Sequence, residues 1–114
     1  MGFLQVGDLV HHYISKGDPA QPTIVFANSL GSDWRIWHEV TERLANDYHI
    51  VCYDKRGHGL SEAGEPPYSV NELAHDVYGL LDGLKVERMI VCGISVGGLI
   101  AQAMALARPE RVRG

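Results

Sequence analysis

The stretch MIVCGISVGG, residues 89–98, decides the fold of this chain. Its first residues are mostly apolar and predict a short buried strand, and LIAQAMALA at residues 99–107 predicts a helix rich in Ala and Leu. Between them lies the pattern Gly-x-Ser-x-Gly, with Ser95 at its centre. A serine on a tight turn between a strand and a helix is the setting in which this pattern indicates a nucleophile.

The residues around Ser95 suit that role. Gly93 and Gly97 carry no side chain that would collide in a strained turn, and we expect Gly98 to let the helix pack close to the strand. Ser95 also precedes the helix, where free N–H groups favour developing negative charge. The alternative interpretation is an ordinary glycine-rich turn in which Ser95 merely caps the helix.

Two further apolar runs, TIVFA at residues 23–27 and HIVCY at residues 49–53, predict strands that are buried on both faces. Helical patterns alternate with these strands. The first covers residues 35–46, and the second begins at the Ser-x-x-Glu capping box of residues 69–72. Such alternation predicts an α/β fold with a mostly parallel sheet and helices on both faces. We expect residues 3–15 to add a hairpin at the edge of the sheet.

Both helical patterns have an apolar face that predicts which side packs on the sheet. We expect Ser32 or Asp33 to cap the first helix. The apolar positions are Ile36, Trp37, Val40 and Leu44 in the first helix, and Leu73, Val77, Leu80, Leu81 and Leu84 in the second.

The composition is that of one globular domain of 114 residues, with 46% hydrophobic and 21% charged residues. The net charge of −4 argues against nucleic acid as a partner. No apolar run approaches the length of a membrane span, and the N-terminal residues lack the pattern of a signal peptide. Cys52 and Cys92 both fall in predicted buried strands, and we interpret them as free thiols in a reducing cytoplasm.

The ligand site of an open α/β sheet lies beyond the C-terminal ends of its strands. Three loops are expected there: NSLG at residues 28–31, DKRGHG at residues 54–59, and the turn that carries Ser95. A serine hydrolase takes one oxyanion N–H from the residue after the nucleophile and one from the earlier loop. We therefore expect Val96 and Leu30 to supply the oxyanion-hole N–H groups, with an ordinary turn at residues 28–31 as the alternative.

The DKRGHG loop matches neither a dinucleotide-binding nor a P-loop pattern. We expect a pair between Asp54 and Arg56 to fix this loop. His58 and the other five histidines all precede Ser95, whereas enzymes with this serine pattern place the catalytic acid and then the histidine after the nucleophile. We therefore interpret all six histidines as structural or surface residues.

Four motifs together resemble the α/β-hydrolase superfamily. They are FANSLG at residues 26–31, YDKRGHGLS at 53–61, PYSVNELAHDV at 67–77, and VCGISVGGLIAQ at 91–102 with the following RPERVRG. They look most like the 3-oxoadipate enol-lactonases of aromatic (β-ketoadipate) catabolism, and NSLG points to that branch. The resemblance implies hydrolysis of a lactone or carboxylic ester by Ser95 without a cofactor. Haloalkane dehalogenases and epoxide hydrolases would be expected to carry Asp at that position.

The same resemblance implies further strands, a helical cap, and then the catalytic acid and histidine. No histidine follows Ser95, and the only later carboxylate side chain is that of Glu110. We therefore expect residues 1–114 to be the N-terminal part of a single α/β-hydrolase domain, inactive alone, without the later strands and the cap. The strand at residues 89–92 would then have an unpaired edge, which favours self-association or a complementing chain.

Other functions are compatible with the same residues. The chain would be a catalytically inactive remnant if nothing supplies the histidine, or one half of a split hydrolase if a partner chain supplies it. A general carboxylesterase or a C–C bond hydrolase would carry the same motifs, because the cap decides the substrate. As an enzyme, the chain is expected to act on a small-molecule ester or lactone, and neither nucleic acid nor a membrane is an expected partner.

Overall fold

The computed structural model describes residues 2–29, 32–63 and 68–114. The strands are β1 (Gly2–Val6), β2 (Leu9–Lys16), β3 (Thr23–Ala27), β4 (His49–Tyr53) and β5 (Ile90–Gly93). A 3₁₀ turn at Trp34–Trp37 leads into α1 (His38–Leu44), and the later helices are α2 (Val70–Gly83) and α3 (Val96–Ala107). None of the helices in these described ranges is long and apolar enough to cross a membrane.

The strands form one sheet in the order β1-β2-β4-β3-β5. The hairpin of β1 and β2 is antiparallel, β2 is antiparallel to β4, and β3 pairs in parallel with both β4 and β5. Strand β2 therefore runs against the other four. The predicted α/β fold, with a mostly parallel sheet and a hairpin at its edge, is confirmed.

Both faces of the sheet are covered, as the unbroken apolar runs predict. Every residue of β3 and β4 is buried. On one face, Val25 and Val51 pack in a core that α2 and α3 complete. On the other face, Phe26 and Ile50 pack with Trp37, which precedes α1. Alternate residues of each strand thus serve opposite cores, which requires helices on both sides.

Helix α2 begins where its capping box predicts. The Glu72 N–H donates to the Ser69 hydroxyl oxygen at 3.0 Å, and Ser69 has an extended backbone. The predicted apolar face is also confirmed, because four of its positions are buried and Leu84 is partly buried against the same core. The buried positions are Leu73, Val77, Leu80 and Leu81.

The first helix differs from its prediction. Asp33, one of the two predicted caps, does cap it through its side chain. Its first turn is 3₁₀, however, with about three residues per turn instead of 3.6. The four apolar positions therefore do not lie on one face of the helix. Ile36 and Val40 are consequently exposed, while Trp37 and Leu44 pack on the core.

The outer edge of β5 is partly paired, contrary to the predicted open edge. The last four residues lie beside it and begin a parallel ladder. The Arg113 N–H donates to the Met89 carbonyl at 2.7 Å, and the Val91 N–H donates to the Gly114 carbonyl at 2.9 Å. The bond from Val91 is the last of this ladder among the described residues.

The two cysteines differ in environment. Cys52 on β4 is buried, as predicted, and burial raises the pKa of its thiol to about 12. Cys92 on β5 is exposed, and its predicted burial is wrong. Cys92 lies on β5, the last strand in the sheet order, and the core that contains Phe26 on the same face does not include it. Both are free thiols.

Candidate active site

Ser95 lies on a tight turn between β5 and α3, where the sequence places it. Its backbone has φ 56° and ψ −120°, a conformation that costs a non-glycine residue about 1–3 kcal/mol. The residue is exposed, and its side chain makes no capping hydrogen bond to α3. Helix capping, the alternative interpretation of this serine, is therefore wrong.

Two glycines allow this turn to form. A Cβ at Gly93 would overlap the carbonyl of Gly97, and a Cβ at Gly97 would overlap the carbonyl of Ala27. Gly98 is different, because the nearest atom to a Cβ there would be the Gly93 carbonyl oxygen at 3.8 Å, an ordinary contact. The close packing of helix on strand that was expected of Gly98 is therefore provided by Gly97.

Val96 is the first residue of α3 and follows Ser95 directly. The next two N–H groups are used within the turn, since Gly97 donates to the Ile94 carbonyl and Gly98 donates to the Ser95 carbonyl, each at 2.9 Å. The Val96 N–H donates to no acceptor among the described residues. It is thus free to bind an acceptor beside Ser95, at the positive end of the helix dipole.

The loop after β3 reaches the same end of the sheet as Ser95. Strands β3 and β5 are parallel neighbours, with Ala27 opposite Gly93, so the residues that follow each strand emerge together. Leu30, predicted to supply the second oxyanion N–H, lies outside the described residues. The described residues on either side of it show how the loop is anchored.

Asn28, Ser29 and Ser32 tie this loop together. Asn28 is fully buried, and its Nδ2 donates to the Ser32 carbonyl at 2.8 Å. The Ser29 carbonyl accepts the Ser32 hydroxyl at 2.8 Å and the Ser32 N–H at 3.3 Å. Ser29 and Ser32 are therefore held within hydrogen-bonding distance of each other.

A buried cation lies beneath the same loop. Lys55 is 1% exposed, and its Nζ donates to the carbonyls of Ser29 at 2.9 Å and Asn28 at 3.2 Å. Burial lowers the pKa of Lys55 to about 8, against the opposing effect of the negative charges on Asp54 and Asp33. Lys55 belongs to no motif that predicts a role for it. The sequence signal that could have drawn attention to Lys55 is its position two residues after a strand that is predicted to be buried.

Asp54 anchors the DKRGHG loop, but not through Arg56 as predicted. Its carboxylate lies 2.8 Å from His12 Nδ1 and accepts the Trp34 N–H at 3.0 Å and the Leu60 N–H at 3.1 Å. Asp54 therefore joins β2, the start of the first helix and the end of its own loop. Arg56, the expected partner of Asp54, instead binds the carboxylate of Asp76 on α2.

Comparison with known proteins identifies the fold. A family model described as the alpha/beta hydrolase fold matches residues 22–114. The chain belongs to the α/β-hydrolase family. A relative, 3-oxoadipate enol-lactonase 2 of Acinetobacter baylyi, is 38% identical over 108 residues, which are 95% of this chain and 40% of that protein. Another, named "Putative carbamate hydrolase RutD" and from Pseudomonas syringae, is 39% identical over 103 residues, 90% of this chain and 40% of that protein.

A solved structure shows the same architecture. The crystal structure of the enol-lactonase from Burkholderia xenovorans LB400 aligns with a TM-score of 0.94 and 38% identity. The alignment covers 97% of this chain and 44% of that one. This α/β-hydrolase chain thus spans 40% of the length of the two curated relatives above.

A partly buried ion pair in this α/β-hydrolase chain holds the DKRGHG loop to α2. Arg56 binds Asp76 through Nε at 2.7 Å and Nη2 at 2.8 Å, and His11 Nε2 lies 3.5 Å from the same carboxylate. Burial alone would raise the pKa of Asp76, but its interactions with His11 and Arg56 outweigh burial and hold the pKa below its usual value.

The burial of the six histidines is consistent with their interpretation as structural or surface residues. His11, His12 and His49 are buried, while His38 and His75 are exposed. His58 is partly buried, and its Nδ1 lies 3.1 Å from the Arg56 carbonyl within its own loop.

Proposed function

We propose that this chain supplies the nucleophile and the oxyanion hole of a serine-dependent hydrolase of carboxylic esters or lactones. The observation that carries the proposal is the backbone of Ser95, held at φ 56° with its side chain exposed and uncapped. Strain of this kind persists where the surrounding structure enforces it, and it concentrates at functional sites. Ser95 directly precedes Val96, whose N–H has no acceptor among the described residues.

The proposed reaction proceeds through an acyl-enzyme. Ser95 Oγ attacks the carbonyl carbon, and the developing oxyanion accepts hydrogen bonds from the N–H groups of Val96 and Leu30. The tetrahedral intermediate then expels the leaving alkoxide, and water hydrolyses the acyl-serine. A general base must take the Ser95 proton and deliver it to the leaving group. Because no histidine follows Ser95, we propose that residues other than 1–114 supply this base.

The proposed substrate is an enol-lactone such as 3-oxoadipate enol-lactone. Two curated relatives named 3-oxoadipate enol-lactonase support it, at 38% and 40% identity. A carbamate is the alternative substrate, supported by the RutD relative at 39% identity. Both substrates present a carbonyl carbon to a nucleophile, so the described residues fit either one.

The proposed partner at the edge of β5 is a further β-strand, supplied by self-association or by a complementing chain. Its support is the parallel ladder that residues 111–114 begin along β5. We also propose a reducing compartment, the cytoplasm, supported by the two free thiols of Cys52 and Cys92.

A fluorophosphonate probe tests the nucleophile on the protein as its gene encodes it. We expect covalent labelling of Ser95, mapped by mass spectrometry, and loss of labelling in Ser95→Ala. Ser15→Ala is the control, because Ser15 is an exposed serine on β2 that belongs neither to the Ser95 turn nor to the loop after β3, so labelling should stay intact. Labelling of another residue, or none, rejects the proposal.

The substrate is tested separately with the same protein. We expect a higher kcat/KM for 3-oxoadipate enol-lactone than for p-nitrophenyl butyrate or an alkyl carbamate. A higher value for the carbamate would favour the alternative substrate and would leave the nucleophile assignment intact.

A further inference from the structure

A cleft lies at the end of the sheet opposite Ser95. It is formed by the loop of residues 19–22, the loop of residues 84–88 and the first residues of β3 and β4, Thr23 and His49. Its volume is about 300 Å³, at the lower end of the range of about 300–1,000 Å³ that is typical of small-molecule sites. The cleft is separate from the candidate active site, because Ser95 follows the carboxyl end of a strand that runs parallel to β3.

Three cations line this cleft without a partner. The side chains of Lys85, Arg88 and Arg113 take part in none of the ion pairs or hydrogen bonds among residues 2–29, 32–63 and 68–114. The side chains in ion pairs are those of Lys16, Arg35, Arg43, Arg56 and Arg111. Lys55 binds two carbonyls, and Arg108 lies over an aromatic ring. The unpartnered Lys and Arg side chains of the described ranges thus all line one cleft.

The charge of the cleft has the opposite sign to that of the chain. The chain carries 14 Asp and Glu residues against 10 Lys and Arg residues, so carboxylates are in excess overall. Glu87 is the one carboxylate among the described residues that line the cleft. Asp18, in the adjoining loop, accepts the Ala20 N–H at 2.9 Å instead of pairing with a cation of the cleft. The lining therefore keeps a net positive charge and attracts anions.

Lys85 has a backbone conformation that favours glycine. Its φ is 60°, and Ser95 is the other non-glycine residue of the described ranges with a positive φ. Lys85 directly follows Leu84, the C-cap of α2, at the position where helices most often place glycine. Glycine would adopt this backbone without steric cost. The presence of lysine here is consistent with a use for its ammonium group in the cleft.

Hydrogen bonds anchor both walls of the cleft. Arg111 Nε donates to the Glu87 carbonyl at 2.8 Å, which holds the loop of residues 84–88. In the facing loop, the Pro22 carbonyl accepts the His49 N–H at 2.9 Å. A site whose walls are already fixed loses less conformational entropy when a ligand binds.

We propose that this cleft binds a small anion with two or more negative charges, carried by phosphate or carboxylate groups. The guanidinium groups of Arg88 and Arg113 suit both kinds of group, because each can donate two parallel hydrogen bonds to a pair of oxygens. Lys85 adds a compact positive charge. The inference does not depend on the serine chemistry proposed above, since the cleft lies at the other end of the sheet.

Isothermal titration calorimetry tests the site on the protein as its gene encodes it, with pyrophosphate and citrate as the probes. Low ionic strength is required, because salt screens exposed charges. We expect one anion to bind per chain with a Kd on the order of 0.1 mM or lower. Binding of pyrophosphate alone assigns phosphate groups to the natural ligand, and binding of citrate alone assigns carboxylate groups. Binding of both supports recognition of the charge that they share.

Three variants locate the binding. The double variant Arg88→Gln with Arg113→Gln should weaken binding at least about tenfold, because it removes two charged donors. Glu87→Gln should tighten binding by about threefold, because it removes a negative charge from the lining, and damage to the fold would not produce such a gain. Arg43→Gln is the matched control, since it removes an exposed arginine whose partner is Glu39 on α1. It should leave the affinity unchanged.

Lys85→Gly protects the test against a double variant that fails to fold. Glycine suits φ 60°, so this variant should bind the anion less tightly without a loss of thermal stability.

Three results overturn the inference. The first is binding of neither probe with a Kd below about 1 mM. The second is equal weakening by Arg43→Gln and by the variants of the cleft, because that pattern indicates nonspecific attraction to surface charge. The third is unchanged affinity in folded variants of Arg88, Arg113 and Lys85, which would place the anion elsewhere. Fluorophosphonate labelling of Ser95 should be the same in all of these variants, so failure of this inference is distinguishable from failure of the proposed function.

Discussion

Gly97 lies directly against the carbonyl group of Ala27, and a Cβ at position 97 would overlap that carbonyl oxygen. Ala27 ends β3, and Gly97 lies in the first turn of α3. The same oxygen accepts the Ile94 N–H at 3.1 Å. The turn that carries Ser95 is therefore held against the end of β3, the strand that leads into the predicted oxyanion loop. Ala27 thus contacts the first part of the candidate site and directly precedes the second.

Gly97→Ala should disrupt this contact. The added methyl group would displace backbone, so we expect the free energy of unfolding to fall by about 3 kcal/mol, with loss of hydrolysis. Gly98→Ala is the matched control, since its Cβ meets only an ordinary contact at 3.8 Å. It should raise the free energy of unfolding by about 0.5–1 kcal/mol, as alanine replaces glycine in a helix. Equal effects of the two substitutions in urea denaturation would contradict this account.

The strain at Ser95 can be measured by substitution. Ser95→Ala should abolish hydrolysis but keep the strained backbone, whereas glycine adopts a positive φ without a steric cost. We expect Ser95→Gly to have a free energy of unfolding about 1 kcal/mol higher than that of Ser95→Ala. Ser29, which is not among the residues with positive φ, provides the control pair. There the glycine variant should be less stable than the alanine variant, and the same order at both positions would refute strain at Ser95.

Lys55 should make stability depend on pH in a defined direction. Its pKa is about 8 in the folded protein and 10.5 when unperturbed, so between these values the unfolded chain binds more protons than the folded one. The contribution of Lys55 to stability therefore rises with pH in this window. We expect the free energy of unfolding of wild type, relative to Lys55→Met, to increase by on the order of 2 kcal/mol from pH 7 to pH 10. A flat or falling difference, measured by urea denaturation at each pH, would show that Lys55 is not a desolvated cation.

The two carboxylates that bind Arg56 should contribute very differently to the free energy of unfolding. Asp76 is buried and binds the guanidinium at 2.7 and 2.8 Å, whereas Glu72 is exposed and lies 3.5 Å away. We expect Asp76→Asn to lower the free energy of unfolding by about 3 kcal/mol, because it leaves Arg56 partly buried without its charge partner. Glu72→Gln should change it by less than about 0.5 kcal/mol, and glutamine preserves the capping box. Thermal denaturation of both variants checks the order, and a larger loss for Glu72→Gln would be incompatible with it.

Local patterns predicted much of the fold. The bounds of β3 and β4 follow from unbroken apolar runs, and the start of α2 follows from the hydrogen bond that Ser69 accepts three residues ahead. The serine turn is equally local, since its strand, its glycines and its helix are adjacent in the chain. The roles proposed for Ser95, Val96 and Leu30 remain predictions made from sequence.

The sequence by itself thus determined the fold class, the principal strands and helices and the position of Ser95, because these depend on periodicity and on neighbours within a few residues. Only the tertiary structure decided that Asp54 binds His12, that Arg56 binds Asp76, and that Lys55 reaches a carbonyl 27 positions away. The reason is physical. A charged side chain takes the partner that folding brings within hydrogen-bonding distance, and β2, β4 and α2 meet only once the sheet has formed.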